Sequence, residues 1–200
     1  MLTLDLGRQT FGDNINVNNV LSRAEVNELL NSWVKNDRLL LHMNQVGYLM
    51  RQWALEQEGL SEDEAWKWEM AGLLHDADWD QWPDQHCRLI IEELEKRAVD
   101  PEIIHAIASH GPLYFGVEPV SRMDKMLYAL DELSGLVHAY SLMRPERYAG
   151  MELKGVKKRL KEKSFAANVS RDDIQDACER AFLQLDDLIQ FIIKHQGNVN

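Results

Sequence analysis

From Asp37 to about Glu56 the apolar residues Leu39, Met43, Val46, Met50 and Trp53 step by four, three, four and three. That spacing lays them along one face of a long helix, whereas a half-buried strand would repeat every second residue. The same period recurs along the chain, and each time a helix start signal stands before it. Ser22 with Glu25 precedes Val26, Leu29, Leu30 and Trp33; Ser61 with Glu64 precedes Trp66 and Met70. Ser121 and Asp124 precede a stripe of Met123, Leu127, Leu130, Ser134 and Val137 that runs to about Met143. Ser170 precedes Ile174, Ala177, Phe182, Leu185, Ile189 and Ile192, which read as one last helix reaching nearly to the C-terminus. Neither strand alternation nor an internal repeat is found, so the expected fold class is all-α.

Gly and Pro punctuate these segments. Gly59 closes the second helix, and Pro83 fits the first turn of a helix carrying His86, Ile90 and Leu94. Asp100-Pro101 opens a short helix to His110, which Gly111-Pro112 ends, and Arg144-Pro145 breaks the helix before it. At 200 residues, one domain is expected. Residues 1–21, polar and without helical period, read as an N-terminal extension, and 22–200 as a single domain. Within it a core spans about 22–143 and a helical extension 144–200.

The chain has 22 basic and 33 acidic residues, a net charge of -11. This disfavours nucleic-acid and anionic-membrane partners. One segment runs against the trend: Lys154 to Lys163 holds six basic residues against one acidic. It reads as a solvated face in preference to a phosphate contact. Cys87 and Cys178 lack metal-type spacing, no apolar run approaches the length of a membrane span, and no signal peptide is legible. A reducing, cytoplasmic setting is the expectation.

Asp is rarely buried without a partner, so ionisable residues on the inner faces of these helices carry the most information. His42 flanks the long stripe. His75 and Asp76 end the apolar run Met70, Leu73, Leu74, and Asp131 lies within the stripe of the later helix. Two imidazoles and two carboxylates make a mixed N/O set suited to a divalent metal such as Mn, Fe, Co, Ni or Zn, with positions left for water and substrate. His110 shares the inner face of its helix with Ile103, Ala106 and Ile107, and His86 stands on the helix before it; each reads alone as a core residue or a ligand. His105 points away from His110. His138, two turns beyond Asp131, reads as a support behind the ligands or as structural, and His195 is expected to be exposed.

The ordered series His42, His75-Asp76, Asp131 resembles the HD-domain superfamily of metal-dependent phosphohydrolases. The resemblance covers roughly Ser22 to Met143. LLHMNQVGYLMRQWA resembles the family's first metal helix, AGLLHDADWD its HD turn, and YALDELSGLVHAYSLMRP its final aspartate helix. The closer likeness is to small single-domain HD hydrolases, which implies an HD-domain helical bundle. In members with two metals, extra histidines stand where His86 and His110 stand here, and Asp76 would bridge the ions. The resemblance therefore implies one or two divalent ions (Mn, Fe, Co, Ni, Zn or Mg) on His42, His75, Asp76, His86, His110 and Asp131. The cyclic-dinucleotide phosphodiesterases of the superfamily carry a lysine three residues after the HD aspartate and a GYP motif. Trp79 and GPLYFG hold those places here, which sets the chain apart from that class.

Such a site implies hydrolysis of a small phosphorylated metabolite or nucleotide by metal-activated water, with His75 and Asp76 at its centre. No serine or cysteine nucleophile motif and no glycine-rich phosphate loop is present. Asp78, Asp80 and Glu132 stand near the ligands as candidates to orient water or accept a proton. Two other readings share the ligand set: a diiron oxygenase of the HD type, and a non-catalytic regulatory protein that keeps its metal for stability.

Overall fold

The structure, a computed structural model, describes residues 18–199. Residues 1–17 of the expected N-terminal extension lie outside the described residues. Among those described there are ten α-helices and no strand. They are α1 (Arg23–Trp33), α2 (Asp37–Glu56), α3 (Glu62–Leu74), α4 (Arg88–Lys96) and α5 (Pro101–Ala108), then α6 (Pro112–Phe115), α7 (Arg122–Leu142), α8 (Leu153–Lys161), α9 (Arg171–Ala181) and α10 (Leu185–His195). Single 3-10 turns stand at Pro83–Gln85 and Gln196–Asn198. The all-α expectation holds.

Helix starts follow the local chemistry. The Ser22 hydroxyl accepts from Glu25 N–H while the Glu25 carboxylate accepts from Ser22 N–H at 2.8 Å, a closed capping box. Ser121 and Asp124 close a second box at the head of α7. Ser61 caps α3 alone: it accepts from Glu64 N–H at 3.3 Å, and the Glu64 carboxylate turns to Lys67 instead. Gly59, at φ +66°, supplies the left-handed residue that turns the chain between α2 and α3.

α2 and α7 are the long central elements, with α3 on α2, α5 between α3 and α7, and α9 and α10 on the remaining faces of α7. The α2–α3 crossing is unusually close. Gly47 and Gly72 face each other there, and a Cβ built on Gly72 would sit 2.7 Å from the Gly47 Cα and 2.8 Å from its nitrogen. The two glycines let the backbones touch, and so bring His42 on one helix beside His75 at the end of the other.

Four expectations are corrected by tertiary contacts. Leu21, assigned to the extension, is 1% exposed and belongs to the core, while Asn19 pairs with the backbone of Ala98 and Asp100 as an isolated parallel bridge. Pro83 opens only a 3-10 turn, so His86 stands in the turn before α4 and not on a helix. The last helix is two helices: Phe182 adopts φ +54°, is 90% exposed, and separates α9 from α10. Finally, His195 is not exposed. It is 5% exposed, stacks on Phe191 and contacts the Glu56 carboxylate at 3.2 Å.

Burial holds the His195 imidazole below its ordinary value, against the raising pull of Glu56. A histidine depressed in the folded state binds its proton more readily when unfolded. Its contribution to stability is therefore present above the unfolded value, about 6.5, and is lost as pH falls through the folded one. Chemical denaturation at pH 7.5 and pH 5.5 is expected to show a smaller acid loss for His195→Gln than for the parent chain. Equal losses would mean the imidazole is not titrating in that window.

Candidate metal centre

His42 from the second turn of α2, His75 and Asp76 from the end of α3, and Asp131 from the middle of α7 meet in one place. His42 Nε2 lies 2.9 Å from Asp131 Oδ1. His75 Nε2 lies 3.4 Å from Asp131 Oδ1 and 3.4 Å from Asp76 Oδ2. The other ring nitrogen of His75, Nδ1, is 2.8 Å from the Gly72 carbonyl oxygen and donates to it. In the neutral ring Nε2 then bears a lone pair directed at two carboxylates. It is fully buried and makes a well-formed hydrogen bond with neither. A cation between these atoms resolves that conflict. Ligands about 2.1 Å from a metal stand about 3.0–3.4 Å apart, so the observed separations fit. His42, His75 and Asp76 form a group that can hold a metal ion.

The second oxygen of Asp76 faces a second set. Oδ1 lies 3.3 Å from His86 Nε2 and 3.7 Å from His110 Nε2. Both rings are held from behind: His86 Nδ1 contacts Asp78 Oδ1 at 2.7 Å, and His110 Nδ1 contacts the Ile107 carbonyl at 2.6 Å. An acceptor on Nδ1 fixes the tautomer that presents Nε2 forward, an arrangement typical of metal-binding histidines. Asp78, fully buried, also accepts from Ile90 N–H at 3.0 Å and thereby anchors the start of α4. Its partner lies eight residues away across an irregular turn, so no helical spacing signalled the role. Cys87 stands close to His86 and His110. Its thiol donates to the Ile107 carbonyl at 3.4 Å, the acceptor that His110 Nδ1 also uses.

The electrostatics show how strongly this pocket favours positive charge. Burial disfavours the His75 imidazolium, yet the Asp76 and Asp131 carboxylates raise it well above the ordinary histidine value. Burial pushes both carboxyls up, and His75 overrides this, holding Asp76 low and Asp131 far below the usual range. Burial and the neighbouring His75 charge press His110 down to about 4. The carboxylates of Asp76 and Asp131 thus favour positive charge at the position between them and His75, whether a proton or a metal ion supplies it.

The remaining candidates separate cleanly. Asp80 accepts from the backbone N–H groups of Lys35 and Asn36 at 2.7 and 2.9 Å, tying the α1–α2 loop to the turn after α3. Glu132 accepts from Ser170 N–H at 3.1 Å, and burial together with the Asp131 charge raises its carboxyl to about 8. His105 turns to Asp124 at 2.7 Å, and His138 to the Tyr148 hydroxyl at 2.8 Å. The basic segment forms α8, which borders a groove of about 800 Å³ with Tyr140 and Arg144. None of the six histidine and aspartate residues lines it.

Fold and site together define a class: an all-α protein with a buried His/Asp centre shared by its long helices. The family model described as HD domain matches residues 39–136, from the first turn of α2 into α7. Residues 39–136 of the chain are thus an HD domain, which suggests a superfamily of metal-dependent hydrolases. No curated protein and no solved structure matches it. No helix among the described residues is long and apolar enough to cross a membrane.

Proposed function

We propose that this chain is a metal-dependent phosphohydrolase that cleaves a phosphoester of a small metabolite or nucleotide. The observation that carries the reading is Asp76, whose two oxygens face two separate groups of imidazoles, Oδ2 towards His75 and Oδ1 towards His86 and His110. That is the arrangement of a carboxylate shared by two divalent ions. When bound, such ions supply hydroxide at neutral pH and polarise a phosphoryl oxygen. His42, His75 and Asp131 would hold one ion, and His86 and His110 the other, with Asp76 between them.

The protein's part is positional. Gly72, Ile107 and Asp78 lock the three ring orientations from behind, so Nε2 of each ring points forward before any ligand arrives. His42, Asp76 and Asp131 retain some solvent exposure while His75, His86 and His110 are nearly closed off, so substrate would enter on the His42 and Asp131 side. Water is the nucleophile in this reading. Two free cysteines, both buried, are compatible with a cytoplasmic setting.

Elemental analysis of the purified protein, followed by phosphate release over a panel of phosphoesters, tests the proposal. One or two divalent ions per chain and turnover abolished by chelation are expected. No metal after reconstitution and no turnover would leave only a non-catalytic role, whereas a spectroscopic mixed-valent iron pair would redirect the reading to oxygen chemistry. The second ion has its own check. His110→Ala is expected to lower metal stoichiometry from two to one per chain; unchanged stoichiometry and activity would make His110 a core residue.

A further inference from the structure

α8 carries most of the segment in which six basic residues stand against one acidic, and the structure folds it into the wall of a groove. Lys154, Lys158 and Lys161 recur at helical spacing and so share one face of α8. All three line the groove of about 800 Å³, together with Arg144, Lys157 and Tyr140. Glu152 is the one carboxylate among its lining residues.

The charge is not answered from within the chain. Lys157 pairs with Asp186 at 2.7 Å and Arg159 with Glu162, but among the described residues no carboxylate pairs with Lys154, Lys158 or Lys161. All three are exposed. The Arg144 guanidinium is fixed by the main chain, donating to the carbonyls of Arg147 and Ala149 at 2.8 and 3.0 Å. By contrast, Arg23, Arg51, Arg97 and Arg180 each hold a carboxylate. Like charges three and four residues apart on a helix repel and weaken it. In a chain with 33 acidic residues, these cations are left for an anion from outside to offset.

We propose that this groove is a second binding site, separate from the metal centre, for a small anion of linked phosphates, either a free oligophosphate or the phosphate tail of a nucleotide. The stripe from Lys154 to Lys161 is about 10 Å long at the helical rise, a length that a few linked phosphates span and a single phosphate does not. Ammonium groups on flexible stems and a fixed guanidinium are donors suited to phosphate oxygens. The net charge of -11 repels a long polyanion or an anionic membrane, whereas a ligand small enough for the groove meets chiefly its local cations.

Calorimetry of the full-length protein with tripolyphosphate, in buffer without free divalent ions, tests the site. One anion per chain is expected, bound more weakly as salt rises. Lys158→Glu is expected to weaken binding about tenfold or more, while Lys96→Glu, the same charge change at an exposed position of α4, leaves it near the parent value. Adenosine triphosphate separates the two sources: binding no tighter than tripolyphosphate assigns the site to the phosphates alone, and tighter binding assigns it to a nucleotide. Thermal denaturation gives an independent reading. Without anion, the double change Lys154→Gln and Lys158→Gln is expected to melt at or above the parent temperature, because repulsion is relieved; tripolyphosphate should raise the Tm of the parent and not of the variant. Absent binding, or equal losses in Lys158→Glu and Lys96→Glu, overturns the proposal. So does binding that His75→Ala abolishes and Lys158→Glu leaves intact, which would place the anion at the metal centre. A double variant that melts below the parent without anion would make the lysines supports of the fold, and overturns it too.

Discussion

His75→Ala is expected to yield a protein that neither retains a divalent ion through purification nor turns over a phosphoester. The imidazole is the one group whose Nε2 lies 3.4 Å from both carboxylates, Asp76 and Asp131, and it is fully buried. Removing even an outer partner of a ligand typically costs about 10- to 100-fold in metal affinity, and deleting the central ligand is expected to cost more. The metal-free fold should suffer as well. Asp76 and Asp131 are held ionised mainly by the His75 charge against the penalty of burial, so the alanine variant leaves two neighbouring carboxylates without that cation. Breaking a buried ion pair from one side costs about 3–5 kcal/mol, an upper figure here because His42 still contacts Asp131. Elemental analysis and urea denaturation of chelated protein read the two effects independently. Full metal occupancy in the alanine variant would refute the central assignment; lost metal with unchanged stability would refute only the electrostatic part.

The second large effect is steric. Gly72→Ala would drive a methyl group to 2.7 Å from the Gly47 Cα and 3.0 Å from the Val46 carbonyl carbon, both main-chain atoms that no rotamer change can move. The reverse substitution, Gly47→Ala, meets the Leu73 Cγ at 2.8 Å and the Glu69 carbonyl oxygen at 3.1 Å. Either forces α2 and α3 apart. Overpacking a core costs about 1–3 kcal/mol, occasionally more, and a rigid backbone contact belongs at the upper end. For a chain of this size about 3 kcal/mol corresponds to a fall in Tm of roughly 6–12 °C. The displacement would also separate His42 from His75, whose rings are 5.3 Å apart, so metal affinity should fall with stability. Thermal denaturation and metal binding by Gly72→Ala check this together. A parent-like Tm would show that the two helices can part without strain.

These two expectations come from different levels of the chain. That His75 and Asp76 end an apolar run, and that Asp131 lies inside a helical stripe, are properties of spacing alone, and the structure brings both together with His42. Nothing in the spacing marks Gly47 and Gly72 as partners, because their relation exists only where α2 crosses α3. Asp78 is similar: its carboxylate could have been a surface charge, and it becomes the support of His86 only because the chain turns sharply between Pro83 and Arg88. The expected helix through His86 failed there for that reason, since a side-chain acceptor at Ile90 N–H reset the start of α4.

Helix class, the ends of α2 and the starts of α1 and α7 were decided by the sequence itself, because apolar period and capping boxes act over three or four residues and need no distant partner. That His75 and Asp76 end the apolar run of α3 and that Asp131 lies within the stripe of α7 was legible there too. The tertiary structure alone decided what those residues meet: the two-sided use of Asp76, the burial of His195 against Phe191, and the break at Phe182 within an otherwise continuous apolar stripe. Burial and pairing depend on which helices cross and how closely, and that is set by contacts between residues far apart in the chain, which no local period encodes.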